Sequence, residues 1–154
     1  MESVRINKFL SETGYCSRRQ ADTLIGEGRV DVNGVPAQPG MKVTVNDTIS
    51  IDGKPLSLHF GKRVYLAFYK PRGVVCTTNS KVEKNNIIDY INYPERIYPI
   101  GRLDKESEGL ILLTNDGEIV NTILKARNFH EKEYVVEVHK PVTKDFVENM
   151  QKGV

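Results

Sequence analysis

The chain has 154 residues, a formal net charge of +2, and 39% hydrophobic and 27% charged residues. That composition is near the globular average, so one medium or two small domains with real cores are expected, not a disordered chain. No run approaches the ~20 apolar residues of a membrane span, and Met1-Glu2-Ser3-Val4-Arg5 lacks the apolar stretch of a secretory signal, so a cytoplasmic location is expected. Cys16 and Cys76 lie far apart and do not cluster with His59, His130 or His139. Reduced thiols, and no metal or other cofactor, are expected.

Ile6, Phe9 and Leu10 fall at i, i+3, i+4, the spacing of one buried helix face, and Gly14 is a natural stop. Ser17 followed by Gln20 forms a capping box that opens a second helix with Ala21, Leu24 and Ile25 as its apolar stripe, ended by Gly26 and Gly28. Val30 and Val32 alternate with polar residues into Asn33-Gly34, a hairpin turn in which both positions tolerate positive φ; Pro39-Gly40 marks a further turn, and Ile49 and Ile51 lead into Asp52-Gly53. Two helices and a small twisted sheet thus account for residues 1–56, and 57–62 read as a linker. The apolar run from Val64 to Tyr69, broken by Pro71 and Gly73 and resumed at Val74–Cys76, predicts two strands around a tight turn. Ile87, Ile88 and Ile91 predict a short helix, and Leu110–Leu113 a buried strand that turns at Asn115-Asp116-Gly117 into a helix bearing Ile119, Val120, Ile123 and Leu124. Alternation over Lys132–His139 predicts a strand, and Thr143 caps a last helix with Phe146 and Met150. The class is α+β, with 63–154 forming a second unit.

Two segments carry chemistry. The second helix opens on Ser17-Arg18-Arg19, placing two guanidiniums where unpaired backbone N–H groups already favour an anion and where ordinary helices prefer acids. Arg5 and Lys8 lie nearby, opposed mainly by Glu12. A phosphate-binding face is one reading; a solvated face in which the arginines pair with Glu12, Asp22 or Glu27 is the other. The second segment is GRLDKESEGLILLTNDGE at 101–118, where Asp104 sits in a Gly- and Ser-containing loop two residues after Arg102 and ahead of a buried strand. A carboxylate beside a cation on a loop held by a strand suits an active site, although a turn aspartate bonded to Lys105 fits the residues equally well.

Residues 5–53 resemble the alpha-L RNA-binding domain, which implies RNA contacts from Arg5, Lys8, Ser17, Arg18 and Arg19, with Arg29 at the rim. The Asp104 block, together with YLAFYKPRGVVCTT at 65–78 and HEKEYVVEV at 130–138, resembles the RNA pseudouridine synthases that act on ribosomal RNA, in the branch containing RsuA and RluF. Three blocks in family order behind an alpha-L domain cover nearly the whole chain. The resemblance implies a two-helix and twisted-sheet RNA-binding domain followed by part of an antiparallel or mixed-sheet catalytic domain. It implies that Asp104 is the catalytic carboxylate of a cofactor-free isomerisation that detaches uracil from C1′ and rejoins it through C5. Arg102 would hold the flipped-out state, and Lys132 and Tyr134 would lie at the uridine, the tyrosine packing on its face. The partner implied is ribosomal RNA of the large subunit, with transfer RNA as the other candidate.

Catalytic domains of this branch continue past the length seen here and supply a basic partner for the aspartate, so a fragment is expected, inactive alone and inclined to self-associate through an incomplete sheet. Two other classes compete: an RNA-binding protein without catalysis, against which the three blocks argue, and a glycosidase, which would need a second positioned acid such as Glu106 or Glu108.

Overall fold

The computed structural model describes residues 3–58, 61–125 and 131–153. His59 and Phe60 of the expected linker, and His130 of the third block, lie outside the described residues.

Strand β1 (Val4–Arg5) leads directly into helix α1 (Ile6–Glu12), which buries Ile6, Phe9 and Leu10 as their spacing requires. Helix α2 (Arg18–Gly26) starts on the expected reciprocal cap: the Gln20 amide donates to Ser17 Oγ at 3.2 Å and the Ser17 amide to Gln20 Oε1 at 2.9 Å. Strands β2 (Val30–Val32) and β3 (Val35–Pro36) close through Asn33 and Gly34 at φ +53° and +80°. Both positive angles match the twist of a two-residue hairpin. Strand β4 (Lys42–Val43) pairs with β1, while β5 (Ile49–Ile51) and β6 (Lys54–Pro55) complete an antiparallel sheet in the order β3–β2–β5–β6. Val30, Ile49 and Ile51 point from this sheet into the core formed with Phe9, Leu10 and Ile25.

The second core is built on β7 (Tyr65–Lys70), helix α3 (Ile87–Ile91), β8 (Tyr98–Ile100) and β9 (Gly109–Thr114). All pairings are antiparallel in the order β7–β9–β8, with Leu66 opposite Leu113 and Ile100 opposite Leu112. Ile111 and Leu113 face inward against Val74, Ile87 and Ile97. Helix α4 (Gly117–Leu124) follows, capped by Asp116, and α5 (Lys144–Gln151) is capped by Thr143 Oγ1, which accepts from the Phe146 amide at 3.2 Å. No helix among the described residues is long and apolar enough to cross a membrane.

Two expected strands are absent. Val74–Cys76 makes only one parallel bridge, Val75 with Asn86, because Lys70 ties the Pro71–Gly73 turn to the loop before β9 and directs Val74 into the core instead of back along β7. Residues 132–139 form no strand: their alternation specifies two faces but supplies no partner, and neither β7 nor β8 pairs with them. Val135 is 95% exposed. Strands β1, β4, β6 and β8, two or three residues long, were not expected from the sequence.

The two cores share no residue, and side chains bridge them: Lys8 Nζ reaches Glu118 Oε1 at 3.0 Å, and an Arg96 guanidinium nitrogen donates to Ser11 Oγ at 3.3 Å.

Candidate active site

The chain leaves β8 at Gly101, whose φ of +82° is open to glycine, and returns to β9 at Gly109, with φ +140°. The loop between them carries Asp104. Its path is fixed from below by Lys70, which is 0% exposed at the end of β7. Among the described residues the Lys70 ammonium has no carboxylate partner; it donates to the carbonyls of Val74 at 2.8 Å, Pro71 at 2.9 Å and Lys105 at 3.2 Å. An ammonium has three protons to place, and a buried one is tolerated only when they are satisfied. Here the acceptors come from two separate loops, so one buried cation joins them. The Gly73 amide adds a bond to the Lys105 carbonyl at 2.7 Å, the Leu103 amide one to Cys76 Sγ at 3.4 Å, and the Ser107 amide one to the Asp104 carbonyl at 3.1 Å. Exposed ion pairs, Arg72–Glu108 at 3.5 Å and Lys105–Glu83 at 3.7 Å, lie around the rim and contribute little.

Above this clamp opens a cleft of about 430 Å³ lined by Val75, Cys76, Arg102, Leu103, Asp104, Lys105 and Lys132. Three sequence-distant segments meet there. Asp104 and Arg102 are both exposed to the cleft side of the loop. One carboxylate among Arg102, Lys105 and Lys132 gives a site that accepts a polyanion while presenting a single base or nucleophile. Glu106 and Glu108 are exposed and not on the lining, so among the described residues the second positioned acid of a glycosidase is not in this cleft. Tyr134 is 77% exposed and also off the lining; the structure brings together Asp104, Arg102 and Lys132 but leaves Tyr134 aside.

On the N-terminal unit, Arg5, Arg18 and Arg19 are exposed and form no ion pair among the described residues. The acids that might have neutralised the α2 arginines are engaged elsewhere: Glu12 with Lys8 at 3.4 Å, Asp22 as acceptor from Asn7 at 2.9 Å, and Glu27 with Arg29 at 3.1 Å. Ser17 is committed to its cap. Lys8 is half-buried between Glu118 and Glu12, and its hydrogen bond to Glu118 holds its pKa above the ordinary lysine value. Arg29 is held by Asp52 at 2.7 Å and by Glu27, and the bond to Asp52 raises its pKa in turn. These two cations, unlike Arg18 and Arg19, would have to leave an intramolecular partner to meet RNA.

Sequence reasoning missed Lys70, although a lone lysine ending an apolar strand is a visible oddity, since lysine is rarely buried. Arg63 was missed too; it pairs with Asp116 at 3.3 Å, and the Tyr65 hydroxyl donates to the same carboxylate at 2.8 Å. Burial pushes the Asp116 pKa up, but the Glu118 amide, the Tyr65 hydroxyl and the Arg63 charge outweigh it and hold the carboxyl below its usual range.

Residues 64–152 match the family described as RNA pseudouridylate synthase, and residues 4–49 match the S4 domain. The chain is 48% identical over 153 residues to the dual-specificity RNA pseudouridine synthase RluF of Escherichia coli (strain K12), covering 99% of this chain and 52% of that protein. It is 40% identical over 152 residues to the ribosomal large subunit pseudouridine synthase B of Bacillus subtilis (strain 168), covering 97% and 62%. An RNA pseudouridine synthase of Aquifex aeolicus (strain VF5), itself uncharacterized, is 40% identical over 158 residues, covering 100% and 63%. The chain spans about half the length of the RluF relative.

Proposed function

The chain belongs to the RNA pseudouridylate synthase family, and from that premise we propose that the protein isomerises a uridine of large-subunit ribosomal RNA to pseudouridine, with Asp104 as the catalytic carboxylate and no cofactor. We read two domains, 1–56 binding RNA and 63–154 contributing the carboxylate, joined by 57–62. Enzymes that act on a base take it out of its stack. Arg102 supports the extruded nucleotide from beside Asp104, and Lys132 faces the phosphate next to it. Tyr134 stacks on the uracil, which holds a base without fixing its in-plane orientation; this requires the segment around it to move onto the cleft. Attack on C1′ or removal of the 2′ proton calls for a carboxylate at this position, which an aspartate supplies. Arg5, Arg18 and Arg19 supply phosphate contacts from the N-terminal unit, with Lys8, Ser17 and Arg29 bordering them.

The observation that carries this reading is the convergence on one cleft of Asp104 and Arg102, from one loop, with Lys132 and Val75–Cys76 from two distant segments. A turn aspartate has no need of it. The RluF relative runs to about twice this length, so turnover is tested in a full-length synthase carrying these residues, and the 154 residues alone are proposed to bind RNA without turnover. Asp104→Asn keeps the side chain's size and removes its charge. It should abolish pseudouridine formation, read as tritium release from RNA labelled at uridine C5, and leave RNA affinity within about two-fold, because phosphate contacts dominate affinity. Isomerisation at the normal rate in that variant removes Asp104 from the mechanism.

A further inference from the structure

Away from the Asp104 cleft, a groove of about 280 Å³ runs between the two cores, lined on one side by Ser11, Glu12 and Arg18 and on the other by Arg96, Tyr98 and Asn121. Arg96 precedes β8; its guanidinium carbon lies 5.5 Å from the centre of the Tyr98 ring and its nitrogen donates to Ser11. Arg18 crosses from the other core: a Cβ built on Gly117 would stand 3.8 Å from its guanidinium nitrogen and 3.2 Å from the Tyr98 hydroxyl. Neither Arg18 nor Arg96 has an ion-pair partner among the described residues, and Glu12, the carboxylate on this lining, is offset by Lys8. Both guanidiniums act on the Tyr98 hydroxyl, opposing the burial that raises its pKa.

We propose that this groove binds one backbone phosphate of the substrate RNA, gripped by Arg18 from the N-terminal unit and Arg96 from the second unit, so that RNA fastens the two units together. The proposal rests on the RNA reading above and adds to it a contact from the catalytic side of the boundary. Two uncompensated guanidiniums facing one small space match the planar, bidentate recognition that arginine gives a phosphate. The stoichiometry follows from the neighbouring groove, where Lys8 is paired with Glu118 and Arg63 with Asp116: on the linings of these two grooves the unpaired cations are Arg18 and Arg96, enough for a single phosphodiester. Arg96 also lies over the Tyr98 ring, which helps to pre-place its planar fork.

The test uses the 154-residue chain and a short fluorescent RNA hairpin, with binding followed by anisotropy over a range of salt. Arg18→Gln and Arg96→Gln should each weaken binding by about ten-fold at 0.1 M salt and lower the log–log salt slope by roughly 0.7–0.9. Combined, they should cost less than the product of the two, because both lose the same phosphate. Neutral methylphosphonates introduced one at a time should reveal a single position that reproduces the loss in the unmodified protein and adds nothing in either variant. Thermal melting checks that the variants fold. If Arg96→Gln does not, Arg96→Lys keeps the charge but loses the fork, and should lower affinity while preserving the slope; unchanged affinity there overturns the proposal. A normal affinity and slope for Arg96→Gln, with loss only for Arg18→Gln, also overturns it while leaving RNA binding by the N-terminal unit in place. Failure of the unmodified chain to bind the hairpin removes the RNA reading itself.

Discussion

The two sheets obey the same alternation and differ in what they put on the outward positions. In the N-terminal sheet, Val30, Val32, Ile49 and Ile51 face the core, and the outward pair across β2 and β5 is Asp31 opposite Ser50. In the second sheet, Ile111 and Leu113 face the core, but the outward pairs are Leu110 opposite Tyr69 and Leu112 opposite Ala67. Leu110 and Tyr69 are well exposed. The first is the pattern of a sheet with one wet face; the second is that of a sheet dressed for cover on both faces, with one covered among the described residues. Burial, not hydrophobicity, therefore decides where substitutions will be felt, and an apolar row on a strand says which surface is meant to be shielded.

The largest effect should come from Leu10→Ala, which empties a fully buried position of the N-terminal core. A loss of about 2–5 kcal/mol is expected from urea unfolding; a loss below ~1 kcal/mol would mean that this core is looser than its burial implies. Next is Lys70→Met, which keeps the stem but removes the ammonium donor from the carbonyls of Pro71 and Val74 and leaves the Lys105 carbonyl with the Gly73 amide alone. The expected cost is roughly 1–3 kcal/mol, with faster hydrogen exchange at the Gly73 and Leu103 amides, and the two loops should loosen together. Exchange that rises at only one of the two would show that Lys70 does not couple them. Ser17→Ala removes the reciprocal cap of α2 and should cost about 1 kcal/mol, read as a shift of the unfolding midpoint.

A smaller contribution depends on pH. Asp116 has a folded pKa below its unfolded value, so its contribution is present above the ordinary carboxylate range near ~3.9 and fades as pH falls through the lower, folded value. In a stability–pH titration, Asp116→Asn should flatten the acid limb and leave the curve's shape unchanged at pH 7; an unaltered acid limb would assign that slope to other carboxylates. The smallest effect sharpens the contrast between the sheets: Leu112→Ser on the outward row should leave the unfolding midpoint of this chain unmoved, whereas Ile111→Ser beside it should lower it markedly.

The N-terminal unit was legible because its signals are local. Capping by Ser17 and Gln20, the 3–4 spacing of Ile6, Phe9 and Leu10, and the Asn33-Gly34 and Asp52-Gly53 turns each declare their structure within a few residues. Strands such as β1 and β8 are too short to show a period, and their existence depends on partners far along the chain. Residues 132–139 mislead for the converse reason: a good period with no strand beside it. At the cleft, family resemblance singled out Asp104, Arg102 and Lys132. The roles of Lys70 and Arg96 depend on the Lys105 carbonyl and the Ser11 hydroxyl, contributed by other segments, which no one-dimensional pattern displays.

The register of β7 against β9 also sets a timetable. The two hairpins of the N-terminal sheet join neighbours through two-residue turns and are able to form within microseconds of leaving the ribosome. Strand β7 has to wait: its mate begins at Gly109, and the Thr114 hydroxyl that donates to the Val64 carbonyl is 50 residues downstream. At synthesis rates of roughly 5–20 residues per second, that interval lasts on the order of seconds. Throughout it, Tyr65–Tyr69 is an apolar strand with both edges open, emerging behind a unit that has already folded. The nascent chain is therefore most exposed to wrong pairing after its N-terminal unit is complete and before Asp104 has a sheet to stand on.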